Sequence, residues 1–129
     1  MSRAFPGAAA AARGPVMMVG CDEQAAAAMR DALESVDVPA VSARDARAAL
    51  DLLRAERPCA IVCDQRLPGI SGLAFLARLS VDRLLGSIPA MVVGLGEQPR
   101  TVPPNVKAWL AKPYGIEQAC IVVLGLLVG

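Results

Sequence analysis

Pro58-Cys59-Ala60-Ile61-Val62-Cys63-Asp64-Gln65-Arg66-Leu67-Pro68-Gly69-Ile70-Ser71-Gly72 is the stretch whose reading decides the fold. A short apolar run, Ala60 to Cys63, stops at a single carboxylate. A tight Leu-Pro-Gly turn follows, and Ser71-Gly72 opens an amphipathic segment. Apolar residues at consecutive positions read as a strand buried on both faces, the kind found in parallel sheets. Asp64 then stands at the C-terminal tip of a central strand, where open α/β sheets place their ligand crevice. The same aspartate could instead only start the turn or cap the segment opened by Ser71-Gly72.

The flanking sequence repeats the pattern. Val16 to Gly20 is an apolar strand that ends at Cys21-Asp22-Glu23. Ala26, Met29, Leu33 and Val36 then recur at helical spacing, which predicts an amphipathic helix over 23–36 with Asp22 placed to cap it. Val38 to Ser42 is a second strand. Ala46, Ala49, Leu50 and Leu53 mark a second helix, with Arg47 able to pair with Asp51 on its wet face. A third helix runs from Gly72 to about Leu79. Pro89 to Val93 and Lys107 to Ala111 are the fourth and fifth strands, ending in Gly94-Leu95-Gly96 and Lys112-Pro113. Residues 115–128 form a last, strongly apolar helix, and Met1 to Pro15, rich in Ala, Gly and Pro, reads as a disordered leader.

Alternating strands and helices predict a parallel sheet with helices on both faces. Right-handed crossovers favour a flavodoxin-like (βα)5 three-layer sandwich over residues 16–129, a five-stranded parallel sheet of order 2-1-3-4-5. The alternation breaks between the fourth and fifth strands. Pro99, Pro103 and Pro104 crowd that link, and an interior proline costs a helix about 3 kcal/mol. The fourth helix is therefore expected to be shortened or replaced by a loop.

Bulk properties exclude several functions. A chain of 129 residues makes one domain with a single core. A net charge of +1 leaves no basic footprint for nucleic acid, and an aromatic content of 3% supplies no stacking platform. The absence of histidine removes Ser-His and Cys-His pairs and His-ligated metals. Cys21, Cys59, Cys63 and Cys120 lack CxxC spacing, which argues against zinc, and read as cytosolic thiols rather than a disulfide framework. Met18-Val19-Gly20-Cys21 looks like a lipoprotein cleavage box, but Arg13, Gly14 and Pro15 interrupt the apolar region it would need. Ala119 to Val128 is too short to span a bilayer. A soluble cytoplasmic protein is expected, with no membrane or nucleic-acid partner.

Four strand ends converge on one edge: Cys21-Asp22, Asp64, Gly94 and Lys112. With Leu67-Pro68-Gly69, Ser71-Gly72 and Lys112-Pro113-Tyr114 at their spacings, the chain from Val16 onward resembles the receiver domain of bacterial two-component response regulators. The resemblance implies that Asp64 accepts a phosphoryl group from a sensor histidine kinase or a histidine phosphotransfer protein. It implies that Asp22, Asp64 and the backbone carbonyl of Arg66 ligate Mg²⁺, that Lys112 bonds a phosphoryl oxygen, and that the Lys112-Pro113 peptide is cis. A hard cation and an ammonium would offset the repulsion between an attacking carboxylate and an anionic phosphoryl group. Phosphoryl transfer needs little beyond positioning and charge, so no histidine is required on this chain. Read without the resemblance, Asp22 remains a helix cap and Lys112 a surface amine.

Three departures stand out against that family. Cys21 occupies the place of the first of two adjacent acids. Losing a charge about 5 Å from the metal weakens Mg²⁺ by about 1–3 kcal/mol. A redox role for Cys21 has no obvious cation in the sequence to lower its pKa. Gly94 stands where a Ser or Thr hydroxyl would bond the phosphoryl group, a contact worth roughly 1.5–3 kcal/mol. Trp109 holds the position of the switch aromatic, where a bulky indole is a poor candidate for an inward swing. With the fourth helix gone as well, the partner surface must differ from the usual one.

Two readings follow. One is a stand-alone response regulator receiver, phosphorylated on Asp64, not an enzyme in any other sense, that signals by contact to an unidentified downstream protein. The other is a pseudo-receiver, a phosphorylation-independent interaction module. Gly94-Leu95-Gly96 begins a dinucleotide fingerprint but lacks its third glycine, so an enzyme reading is weak. The last helix carries too many apolar residues for one core-facing stripe, which predicts a homodimer through it, a continuation of the chain over it, or a deeply tucked helix.

Overall fold

Strand and helix alternate along residues 14–128, the part of the chain that the computed structural model describes. Of the leader expected over residues 1–15, only Gly14 and Pro15 are described; the rest lies outside the described residues. The order is β1 (Val16–Val19), α1 (Glu23–Glu34), β2 (Ala40–Ala43), α2 (Ala46–Ala55), β3 (Ala60–Asp64), β4 (Arg66–Leu67), β5 (Ile70–Ser71), α3 (Gly72–Ser80), β6 (Ala90–Gly94), β7 (Val106–Ala111) and α4 (Ile116–Val128). The first three helices start after short polar side chains that satisfy an otherwise orphaned amide. Asp22, Asp45 and Ser71 accept from Ala25 N, Ala48 N and Ala74 N at 3.0, 2.8 and 3.0 Å.

The main sheet is parallel throughout, in the order β2-β1-β3-β6-β7. Leaving out the two short strands β4 and β5, this is the 2-1-3-4-5 order expected from the sequence. Strand residues divide by parity between two cores. Val16, Met18, Val62, Met91 and Val93 pack with α1 and α4, and Met17, Val19, Ile61, Cys63 and Val92 pack with α2 and α3. β1, β3 and β6 are buried along their whole lengths, so the consecutive apolar runs reflect helices on both faces.

No helix separates β6 from β7. The proline-bearing link over 95–105 instead covers the core itself. Val102 and Trp109 pack against the α2–α3 side, and buried Asn105 donates from Nδ2 to the Leu76 carbonyl at 2.9 Å, tying the link to α3. The Asn105 Oδ1 atom is buried without a partner.

Two details differ from the sequence reading. The Leu-Pro-Gly turn is the tip of a small antiparallel hairpin, with Arg66 opposite Ser71, Leu67 opposite Ile70, and Gly69 at φ +78°. Proline followed by a glycine of positive φ is the type II turn signature. Asp51 pairs with Arg54 at 3.6 Å rather than with Arg47. Both side chains are largely in water, where such pairs contribute little. α4 tucks Ala119, Cys120, Val123 and Leu127 against the core and leaves Ile121 and Val128 about two-thirds exposed. Among the described residues, no helix is long and apolar enough to cross a membrane.

Candidate functional site

Sheet register carries the predicted residues to one edge. Asp64 pairs with Val93, and Gly94 pairs with Ala111, so β3, β6 and β7 end side by side. The ladder continues one residue past the strands, with Gln65 N donating to Val93 O and Lys112 N to Gly94 O, both at 2.8 Å. Asp64 is only 8% exposed, which makes its partners matter. Its Oδ1 accepts from Arg66 N at 2.8 Å, and its Oδ2 accepts from Lys112 Nζ at 2.6 Å. The Lys112-Pro113 peptide is cis, as expected.

Asp22 and Cys21 extend from the end of β1 into the same cleft. This cleft, of about 700 Å³, is lined by Gly20, Cys21, Asp22, Asp64, Lys112 and Tyr114 among others. Asp22 is exposed, and its Oδ1 is engaged at the helix cap, so the bland reading of this residue and its place at the cleft hold together. The Arg66 carbonyl faces the end of β1, 3.7 Å from where a β-carbon on Gly20 would stand. Among the described residues, no three His, Cys, Asp or Glu side chains are gathered as a metal cluster.

Trp109 packs against Gly94, its Cζ2 2.9 Å from where a β-carbon on Gly94 would stand. The Trp109 indole donates from Nε1 to the Gly96 carbonyl at 2.8 Å, and this bond fixes the ring over the β6–β7 link. Gln65, which the sequence reading passed over, accepts at Oε1 from Leu95 N at 3.0 Å. No sequence signal marks it, since its partner is a backbone amide 30 residues away.

Burial pushes the Cys21 thiol from 9.0 up to about 12, with Asp64 adding to the shift, Lys112 opposing it, and Asp22 adding a little more. Cys21 is therefore a neutral thiol at physiological pH, which argues against a reactive role. Burial, then Cys21, Asp22 and Asp64, raise the phenol of Tyr114 from 10.0 to about 12. The unfolded chain then loses this proton near pH 10, while the folded chain keeps it until about 12. The stability contributed by the neutral phenol is thus complete below pH 10 and is lost as pH rises toward 12. Tyr114 is the only tyrosine, so ultraviolet difference titration in metal-free buffer reads it directly. A native midpoint near 12 and a denatured midpoint near 10 are expected; a native midpoint near 10 would contradict the placement of Tyr114 in the cleft.

A buried carboxylate paired with an ammonium at the C-terminal edge of a doubly covered parallel sheet defines the class as flavodoxin-like α/β proteins with a site at the strand ends. Comparison with known proteins narrows this. A sequence profile of the response regulator receiver domain matches residues 16–118, and the chain belongs to that family. It is 31% identical over 105 residues to the polar-differentiation response regulator DivK of Brucella anthropi, covering 78% of this chain and 85% of that protein. Solved structures share the fold. The chemotaxis response regulator CheY4 of Vibrio cholerae superposes with a TM-score of 0.77 at 18% identity, covering 88% of this chain and 98% of that one. A sensor protein from Polaromonas sp. JS666 gives 0.79 at 19% identity, covering 90% and 97%. As a receiver domain, the chain is a signal transducer of two-component systems.

Proposed function

We propose that Asp64 accepts a phosphoryl group from the phosphohistidine of a sensor histidine kinase or a histidine phosphotransfer protein, and that the modified domain signals by contact with a downstream protein in the cytoplasm. The observation that carries this reading is the 2.6 Å contact between Lys112 Nζ and Asp64 Oδ2 at the strand ends. One carboxylate oxygen of Asp64 forms the new bond to phosphorus. The phosphorus–nitrogen bond breaks, and the imidazole leaves with the electron pair. Lys112, already at the carboxylate, is placed to follow the charge onto a phosphoryl oxygen. Burial of Asp64 keeps water from competing for these contacts.

The donor set fits Mg²⁺, with one charge fewer than a two-acid site. Asp64, the free oxygen of Asp22 and the Arg66 carbonyl are hard oxygens and would hold the ion; the protonated Cys21 thiol would not. Bound there, the ion supplies positive charge against the transferring phosphoryl group. With one acid fewer to hold it, the ion would bind weakly.

Intact-mass analysis after incubation with Mg²⁺ and acetyl phosphate tests this reading. The wild type is expected to gain one phosphoryl group, and Asp64→Asn none. An unmodified wild type would instead favour the phosphorylation-independent interaction module. The side-chain-free Gly94 and the hydrogen-bonded Trp109 are the observations on that side.

The proposed contact surface includes α4, where Ile121, Gly125 and Val128 are exposed along one face. A second copy covering this stripe would remove that apolar area from water. Sedimentation velocity is expected to show a concentration-dependent dimer that Ile121→Glu abolishes; a monomer at every concentration removes self-association.

A further inference from the structure

Gln65 is placed to do what position 94 cannot. It directly follows Asp64, and its backbone amide prolongs the β3–β6 ladder by bonding Val93 O. Its side chain then crosses to the β6–β7 link and accepts the Leu95 amide at Oε1. A β-carbon built on Gly94 would stand 2.6 Å from Gln65 Oε1, 2.9 Å from Gln65 Cβ and 2.9 Å from Trp109 Cζ2. The carboxamide and the indole thus fill the volume that a side chain at 94 would take. Three successive residues are gripped from neighbouring strands: Gly94 O by Lys112 N, Leu95 N by Gln65, and Gly96 O by Trp109.

We propose that Gln65 is the positioning residue that ties the β6–β7 link to the end of β3, filling the space of the side chain absent from position 94 and bonding the link itself. The grip comes from β3 and does not depend on the state of Asp64. Leu95 and Trp109 therefore keep one conformation before and after modification. Only this last statement rests on the reading of Asp64 as phosphoacceptor.

Four variants of the full chain test the inference: Gln65→Ala, Gln65→Glu, Gly94→Thr, and Gln65→Ala with Gly94→Thr. Without phosphodonor, Gln65→Ala is expected to speed hydrogen exchange at the Leu95 amide about tenfold, as loss of one hydrogen bond would. Gln65→Glu keeps an acceptor in place and is expected to retain the protection. Gly94→Thr alone lowers the thermal midpoint, and adding Gln65→Ala recovers part of that loss, because the carboxamide is removed while the β-carbon of residue 65 and the Trp109 ring stay. With Mg²⁺ and acetyl phosphate, the Leu95 amide and Trp109 indole resonances stay put in the wild type and shift in the double variant. Unchanged Leu95 exchange in Gln65→Ala, no rescue of Gly94→Thr, or a shift of both resonances in the modified wild type would overturn the proposal. If mass analysis finds no phosphoryl group on the wild type, the acceptor reading fails, while the exchange and rescue results still decide the role of Gln65.

Discussion

Gly72→Ala is expected to destabilise the protein by about 3 kcal/mol or more, at the upper end of what overpacking costs. A β-carbon at 72 would stand 2.1 Å from the Asp64 carbonyl oxygen and 3.1 Å from Cys63 Sγ. The first of these is backbone, so no rotamer change relieves it. Either α3 lifts from the end of β3, or the Asp64 backbone moves. Both break the Gly72 N to Gln65 O bond of 2.8 Å that joins the helix start to the end of β3. Urea unfolding gives the loss of stability, and acetyl phosphate labelling of whatever remains folded should fall with it. Gly125→Ala is the control, measured in the Ile121→Glu background so that the proposed α4 contact does not enter. That glycine lies inside α4 with nothing within 4 Å of the added carbon, so the same change should stabilise by about 0.5–1 kcal/mol. Equal effects at both positions would show that α3 does not abut Asp64 as described.

Gly72 also marks how far the sequence could be read. Its place at the start of an amphipathic segment was legible, since Ser71 is a good cap and the following residues have helical spacing. Why the residue must be glycine was not, because the clash is with a carbonyl that only the tertiary fold brings near. The same division runs through the chain. β1, β3 and β6 announce themselves because burial on both faces leaves no alternation to disguise. Three prolines gave away the missing helix through local sterics alone. Asp64 and Lys112, 48 residues apart, meet because parallel register aligns their strand ends. Gln65 and Asn105 were passed over for a common reason. Each is a polar side chain whose partner, Leu95 or Leu76, lies about 30 residues away and offers only backbone, which carries no sequence signal. Asp51 chose Arg54 over Arg47 because exposed long side chains gain too little from either to fix the choice.

Cys21→Asp is expected to tighten Mg²⁺ binding about five- to 150-fold, the equivalent of the 1–3 kcal/mol that a screened charge beside a cation contributes. The thiol that it replaces sits in the cleft with Asp22, Asp64 and Lys112 and is neutral, because burial and the Asp64 charge hold its ionisation near 12. A carboxylate there adds both a hard ligand and a full charge. It also sets a third acid near Asp22 and Asp64 with only Lys112 to offset them, so the metal-free protein should lose stability. Mg²⁺ should then raise the melting temperature of the variant more than that of the wild type, since a ligand stabilises in proportion to its binding. Cys21→Ser, which changes polarity without charge, separates the two effects and should leave the affinity near that of the wild type. Asp22→Asn should weaken it. Quenching of the single tryptophan, Trp109, or titration calorimetry reads each constant. If Cys21→Asp leaves Mg²⁺ affinity unchanged while Asp22→Asn also has no effect, the cation does not bind at this strand edge, and Lys112 would be left as the one cation at hand for a phosphoryl group proposed at Asp64.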